Sequence, residues 1–484
     1  MGPVLERRDA ARAVGLVVFA AVLSVTAGAV LIARSSGRSW FPTSWDARVA
    51  PIAAEVAHLR GLDFQHPVPI RYLAPNDFQK QLGDENNPSS ADRAEALREE
   101  SLFRALGFIG GNVDLLRGFD TAQSSETLAF YDPDRKEIIV RGSTLDVAHQ
   151  VTIAHELTHV LQDQHFNLPK LQQRASDSDS GDASAFKGLI EGDAVRIEDD
   201  YLKQLSSADR KDYDRENNAE GARIGKETAS VPEIVDLLSG APYDLGLSTV
   251  EVLQESGGNA AVNDAITGPV PSTEVFVESG DITPPVRVEQ PVLPPDSVTV
   301  GTADTFGPFE MFLTLAMRID PVRALAAADV VAGGRAVLFR SHGATCYRVA
   351  VAPTFEHSRS FLLAAVGDWA RGRPRTTLDA AGDLVGFTAC DPGGGAPAPS
   401  AQPLKTAVEV LSFRTGVTVA AAKSFDSGDL ARCAARVFMG SPGAEKLVLA
   451  VGDRAPTAAQ SAQLRELGVA SGEACQADPN AHLP

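Results

Sequence analysis

The 484 residues carry 44 Lys and Arg against 63 Asp and Glu, a net charge of -19, with 44% hydrophobic residues. This is the composition of an ordinary globular protein whose surface as a whole repels phosphate backbones, so nucleic acid is excluded as an expected partner. The length exceeds the roughly 250–300 residues that one hydrophobic core fills, which predicts more than one unit.

The first informative stretch is 13–33 (AVGLVVFAAVLSVTAGAVLIA), which has no charge and is long enough to span a bilayer. The chain beyond it, RSSGRSW, lacks the small-residue site of a cleaved signal, so 13–33 is expected to be an uncleaved anchor with 1–12 as a cytoplasmic tail. Arg7, Arg8 and Arg12 on one side and Arg34, Arg38 and Arg48 on the other nearly balance, and leave the orientation open. The cysteines decide it. Cys346, Cys390, Cys433 and Cys475 are even in number and show no C-x-x-C spacing. They suit two loop-closing disulfides, which persist outside the reducing cytosol. The expectation is a single-pass protein of the cell membrane with its bulk extracytoplasmic.

After the anchor, 46–59 has helical periodicity, 67–73 reads as a strand and 91–106 is helical again. In 126–140 (ETLAFYDPDRKEIIV) a D-P-D turn separates two apolar runs, a hairpin whose second strand, 137–140, enters the next element. That element, 151–164 (VTIAHELTHVLQDQ), carries Val151, Ala154, Leu157 and Leu161 at helical spacing. Within it His155, Glu156 and His159 form H-E-x-x-H. Residues four apart share a helical face, so both imidazoles can reach one zinc ion, and the Glu can act as general base on a metal-bound water.

A catalytic zinc needs a third protein ligand. His165 stands where a metzincin-type motif has its third His, but Gln162 replaces the glycine that turns the chain there, and a continuing helix carries His165 off the metal face. Glu191, in LIEGDAVRIEDDY, is favoured, since Phe186, Ile190, Ala194 and Ile197 predict a second helix that could run antiparallel to the first. Asp193 and Glu198 on that helix are the other candidates.

The motifs AHELTHVLQDQHF and LIEGDA resemble those of gluzincin-type zinc metallopeptidases, most of all membrane-anchored members from actinobacteria. Softer similarity extends over 49–273 through VAHLRGL, FYDPDRKEIIV, GGNAAVNDAI and PSTE. The resemblance implies zinc bound by His155, His159 and Glu191, with Glu156 as catalytic base. One departure is Val195, where thermolysin-like members carry an Asp four residues after the ligand Glu; support for a ligand histidine then has to come from elsewhere, with Glu198 as the candidate. The chemistry expected is peptide-bond hydrolysis on a protein or peptide substrate. An exposed edge strand at 137–140 would pair with an extended chain. Tyr131, Tyr201 and His165 are the candidates for stabilising an oxyanion. The rival reading is an inactive gluzincin-like scaffold serving as an envelope binding or assembly module. Glu156 favours the enzyme, because metal binding alone does not need a base.

The remaining segments complete an α+β protein. The SDSDSGD stretch, 176–182, reads as a flexible loop that caps the following helix rather than as a calcium loop, and 206–229 as polar and mobile. Pro-rich 283–295 closes a metallopeptidase domain at 46–295, and 392–403 (PGGGAPAPSAQP) is a linker. Between them, 301–391 is a small α+β unit, and 404–484 is a helical unit. A weak echo, AVGDWA and AVGDRA, favours pairing Cys346 with Cys390 and Cys433 with Cys475.

Overall fold

The computed structural model describes residues 41–84, 89–380, 382–425, 427–451, 456–478 and 481. The tail expected at 1–12 and the anchor expected at 13–33 lie outside the described residues. Among the described residues no helix is long and apolar enough to cross a membrane. The fold is α+β, mostly helical with two separate sheets.

Helix α1 (Ala50–Arg60) leads into strand β1 (Ile70–Leu73), and helices α2 (Pro75–Asp84), α3 (Ser90–Leu106) and α4 (Leu115–Glu126) precede the predicted hairpin. Its strands are β2 (Ala129–Asp132) and β3 (Glu137–Arg141), and Asp132 closes the turn by accepting from the Asp134 and Arg135 N–H groups. The sheet order is β1-β3-β2, with β1 parallel and β2 antiparallel to β3. The expectation that 137–140 is an exposed edge strand is therefore corrected. Ile138, Ile139 and Val140 are completely buried in the central strand, as a continuous apolar run covered on both faces requires, and β2 is an edge.

Asp146 caps helix α5 (Val147–Phe166) by accepting from the His149 N–H, and Asn167 ends it in the left-handed conformation at φ 61°. Every residue from Val151 to Asp163 is buried, because neighbours cover the helix on all sides. After α6 (Leu168–Ser176), Asp182 caps α7 (Ala183–Gln204) through the Ser184 and Ala185 N–H groups, the capping role expected of the SDSDSGD stretch. His155 meets Glu198 while Gln162 meets Ile190, so α5 and α7 run antiparallel. Helix α9 (Glu233–Thr267) lies backbone to backbone on α7: a Cβ at Gly192 would stand 2.3 Å from the Gly246 carbonyl, and one at Gly246 would stand 2.2 Å from the Gly188 oxygen. Only glycine permits that approach.

The stretch 206–229 is not a mobile loop but helix α8 (Ser207–Glu227), capped by Ser206. Ile224 is its one buried residue. What orders it is polar: Arg223 pairs with Glu220 and Glu227 at helical spacing, Glu220 also pairs with Arg141, and Glu216 accepts from the Ala148 N–H.

A second sheet, β4 (Val298–Thr305), β5 (Val331–Ser341), β6 (Ala344–Pro353), β7 (Thr376–Asp379) and β8 (Val385–Cys390), is antiparallel in the order β4-β5-β6-β8-β7. Helices α10 (Pro308–Ala316) and α12 (Ser358–Ala370) pack on it, α11 (Pro321–Ala328) packs on those two helices, and the chain ends in α13 (Gln402–Phe425), α14 (Gly428–Gly440), α15 (Ala444–Val451) and α16 (Ala458–Ala477). Both disulfides pair as expected, Cys346 with Cys390 across β6 and β8, and Cys433 with Cys475 between α14 and α16. One pair joins strands and the other joins helices. A single buried cluster, including Phe103, Phe276, Phe309, Trp369, Phe387 and Phe438, draws on all three segments of the chain.

Candidate metal centre

His155 and His159 project from successive turns of α5 with their Nε2 atoms 3.1 Å apart. The Glu191 carboxylate, from α7, places Oε2 3.4 Å from one Nε2 and 3.3 Å from the other. A tetrahedral ion with bonds of about 2.0–2.1 Å spaces its ligand atoms about 3.3–3.4 Å apart, so this triangle has the size that one such ion requires. His155 and Glu191 are 0% exposed and His159 4%. Together they can hold a metal ion.

The second nitrogen of each imidazole explains its aim. His155 Nδ1 lies 3.0 Å from Glu198 Oε2, and an ionised carboxylate can only accept, so Nδ1 carries a hydrogen and Nε2 is the nitrogen turned toward Glu191 and His159. His159 Nδ1 donates in the same way to Gln162 Oε1 at 2.9 Å. The Gln162 amide is itself held, because its Nε2 donates to the Ile190 carbonyl and to Asp193 Oδ2, each at 3.0 Å. Asp193 is anchored by Arg60 at 2.7 Å and Arg196 at 3.0 Å. Of the candidate third ligands, then, only Glu191 lies at the site: Asp193 is tied to arginines, Glu198 orients His155, and His165 bonds the Asp63 carbonyl at the end of α5. Val195 packs against Leu128, Ala148 and Tyr243, and the support it cannot give comes from Glu198.

Glu156 is 0% exposed, and its two oxygens are treated differently. Oε2 accepts the Tyr131 backbone N–H at 2.7 Å, from the side of β2 that β3 leaves open, while Oε1 has no hydrogen-bond partner. Burial raises its pKa to about 6 against the lowering influence of both histidines. Burial by itself would lower His155, but its hydrogen bonds to Glu191 and Glu198 outweigh that and raise it to about 10. Glu191 shows the opposite balance, with burial raising its pKa and the histidines carrying it well below the ordinary range. The cluster is thus built to stabilise positive charge between Glu191 and the two rings, and a bound cation supplies such a charge.

No family matches the chain, and no curated protein or solved structure matches it either.

The oxyanion candidates lie elsewhere. The Tyr131 hydroxyl donates to Asp163, Tyr201 is buried beside Val56 and Ile197, and the His165 ring is taken by Asp63. The aromatic ring that meets the histidines is Tyr243 of α9, stacked on His155 with centroids 6.3 Å apart. Gln162, Arg60, Tyr243 and the Tyr131 N–H escaped the sequence reading. Gln162 could have been found there, since it stands three residues after His159 on the same helical face. The others come from distant segments and leave no local signal.

Proposed function

We propose that the chain is a zinc-dependent metallopeptidase that hydrolyses peptide bonds, with His155, His159 and Glu191 as ligands and Glu156 as general base. Two imidazoles and one carboxylate at tetrahedral spacing suit Zn²⁺ better than the oxygen-rich shells of Ca²⁺ or Mg²⁺. When bound, such an ion lowers the pKa of its water toward ~7 and polarises a carbonyl. Glu156 is held by the Tyr131 N–H at Oε2 and keeps Oε1 for a proton; with a pKa of about 6 it can take that proton near neutral pH and return it to the leaving amine. Glu198 and Gln162 hold the two rings in place. No strand is assigned to pair with an extended substrate, because 137–140 is central and the open side of β2, itself buried, gives its Tyr131 N–H to Glu156. The two disulfides and the apolar stretch at 13–33 support an anchored, extracytoplasmic setting.

The observation that carries this reading is the ligand triangle with a carboxylate oxygen left unpaired on the adjacent residue. Its test is Glu156→Gln. That variant should retain about one zinc per chain and lose roughly 10²–10⁴-fold in peptide hydrolysis, whereas unchanged cleavage removes Glu156 from its role. One observation favours a second reading, a structural metal centre in an envelope binding or assembly protein: ligands and base are all but sealed from solvent. On that reading the wild type binds zinc and cleaves no peptide in a library assay with or without chelator.

A further inference from the structure

Lys187 lies one helical turn before the ligand Glu191 on α7, and positions 187, 190 and 191 share one face of that helix. Its side chain connects two places. Toward the metal centre, the ammonium stands 5.5 Å over the ring of Tyr243, the ring stacked on His155. On the other side, Lys187 lines a cavity of about 230 Å³ between α6 and the first turns of α7. Buried Phe186 and Ile190 form an apolar floor, and exposed Ser176 and Ser184 form the rim.

Two donor-bearing side chains, Lys187 and Gln172, line this cavity. Among the described residues no carboxylate lies within ion-pair distance of Lys187. Gln172, which also lines the cavity, has a buried Nε2 with no hydrogen-bond partner. A buried donor without an acceptor, as at Gln172, is unfavourable, and an oxygen that accepts from an ammonium does so most strongly when it is itself charged. Apolar walls that end at an ammonium and an amide N–H therefore fit a short methylene chain ending in a carboxylate.

We propose that this cavity is a substrate subsite of the metal centre, and that Lys187, assisted by Gln172, selects a substrate carboxylate beside the bond that is cut; this rests on the metallopeptidase reading above. Such a carboxylate comes from an acidic side chain or from the C-terminus of a short peptide. The test separates the two with peptides that carry Glu, Gln, Leu or Lys next to the cleaved bond, each as the free acid and as the C-terminal amide. The expected result is a kcat/KM roughly tenfold or more higher for the carboxylate-bearing member of each pair, Glu over Gln or free acid over amide. Lys187→Met should abolish that preference, Lys187→Arg should keep it, and Lys187→Glu should turn it toward Lys. A preference that survives Lys187→Met, or the absence of any preference in the wild type, overturns the proposal.

A second measurement needs no turnover. Zinc-loaded Glu156→Gln protein is titrated calorimetrically with succinyl hydroxamate and with butyryl hydroxamate, which share the zinc-binding head and differ in the carboxylate. The succinyl compound should bind more tightly by a similar factor, and the difference should vanish when Lys187→Met is added. Equal binding of the two overturns the subsite while leaving the metal centre intact. Binding of neither overturns the metallopeptidase reading, since a sealed centre holds zinc but admits no ligand, and the subsite with it.

Discussion

The Glu278 carboxylate, buried where the C-terminal helices meet the rest of the fold, pairs with Arg414 and Arg436, and Asp329 takes the other side of Arg414 at 2.6 Å. The Glu191 carboxylate is equally buried, but its neighbours are the two imidazoles of α5, and no lysine or arginine lies within ion-pair distance of it among the described residues. In the first region two guanidiniums answer two carboxylates, and the network is neutral by itself. In the second, Glu156, Glu191 and Glu198 surround two rings whose Nε2 atoms converge on one point, a place for positive charge that protons or a bound cation can supply. Burial alone does not distinguish a structural network from a site for an ion; the balance of donors and acceptors does.

This contrast can be broken or sharpened by experiment, and the largest effect is expected at the neutral cluster. Arg414→Leu strands Asp329 without its partner and leaves Glu278 with Arg436 alone, and should cost about 3–5 kcal/mol in denaturant unfolding while leaving zinc stoichiometry unchanged. A loss below 1 kcal/mol would mean that the cluster does not depend on its pairing. Next is Glu198→Gln, which should weaken zinc binding 10–100-fold in a competition titration, because His155 loses the carboxylate that fixes its tautomer. Full affinity in that variant would separate Glu198 from the centre.

The pH dependence follows from His155. Its pKa is raised to about 10, so at neutral pH the ring carries a proton that an incoming ion must displace. Zinc affinity should therefore rise with pH, about tenfold per unit for each proton released, and fall with acid, as read by titration in buffers of different protonation enthalpy. An affinity flat between pH 6 and 8 contradicts the arrangement. The smallest effect is expected at an exposed ion pair. Lys203→Ala removes one of the two partners of Asp200, which keeps Arg196, and should change stability by less than about 0.5 kcal/mol, a baseline for the other three.

Much of the metal centre was legible before folding was considered, because its parts lie at fixed helical spacing: His155, Glu156 and His159 on one helix and Glu191 on another. The role of Glu198 could also be anticipated, since Val195 left His155 without its usual support. Helix α8 was not legible, because with Ile224 as its one buried residue it shows no apolar stripe, and its order comes from pairs such as Arg141 with Glu220 that span distant segments.

By itself the sequence determined what depends on neighbours along the chain: the two imidazoles one turn apart, the D-P-D hairpin, the cap at Asp182. Only the tertiary structure decided that 137–140 is a central strand, that Asp193 belongs to Arg60 across 133 residues rather than to the His155–His159–Glu191 cluster, and that Gly188, Gly192 and Gly246 bring Tyr243 over His155. The reason is the range of the forces involved. Helical periodicity and capping act within a few residues, whereas a strand's place in its sheet and a buried charge's partner are settled by whichever distant segment packs against them.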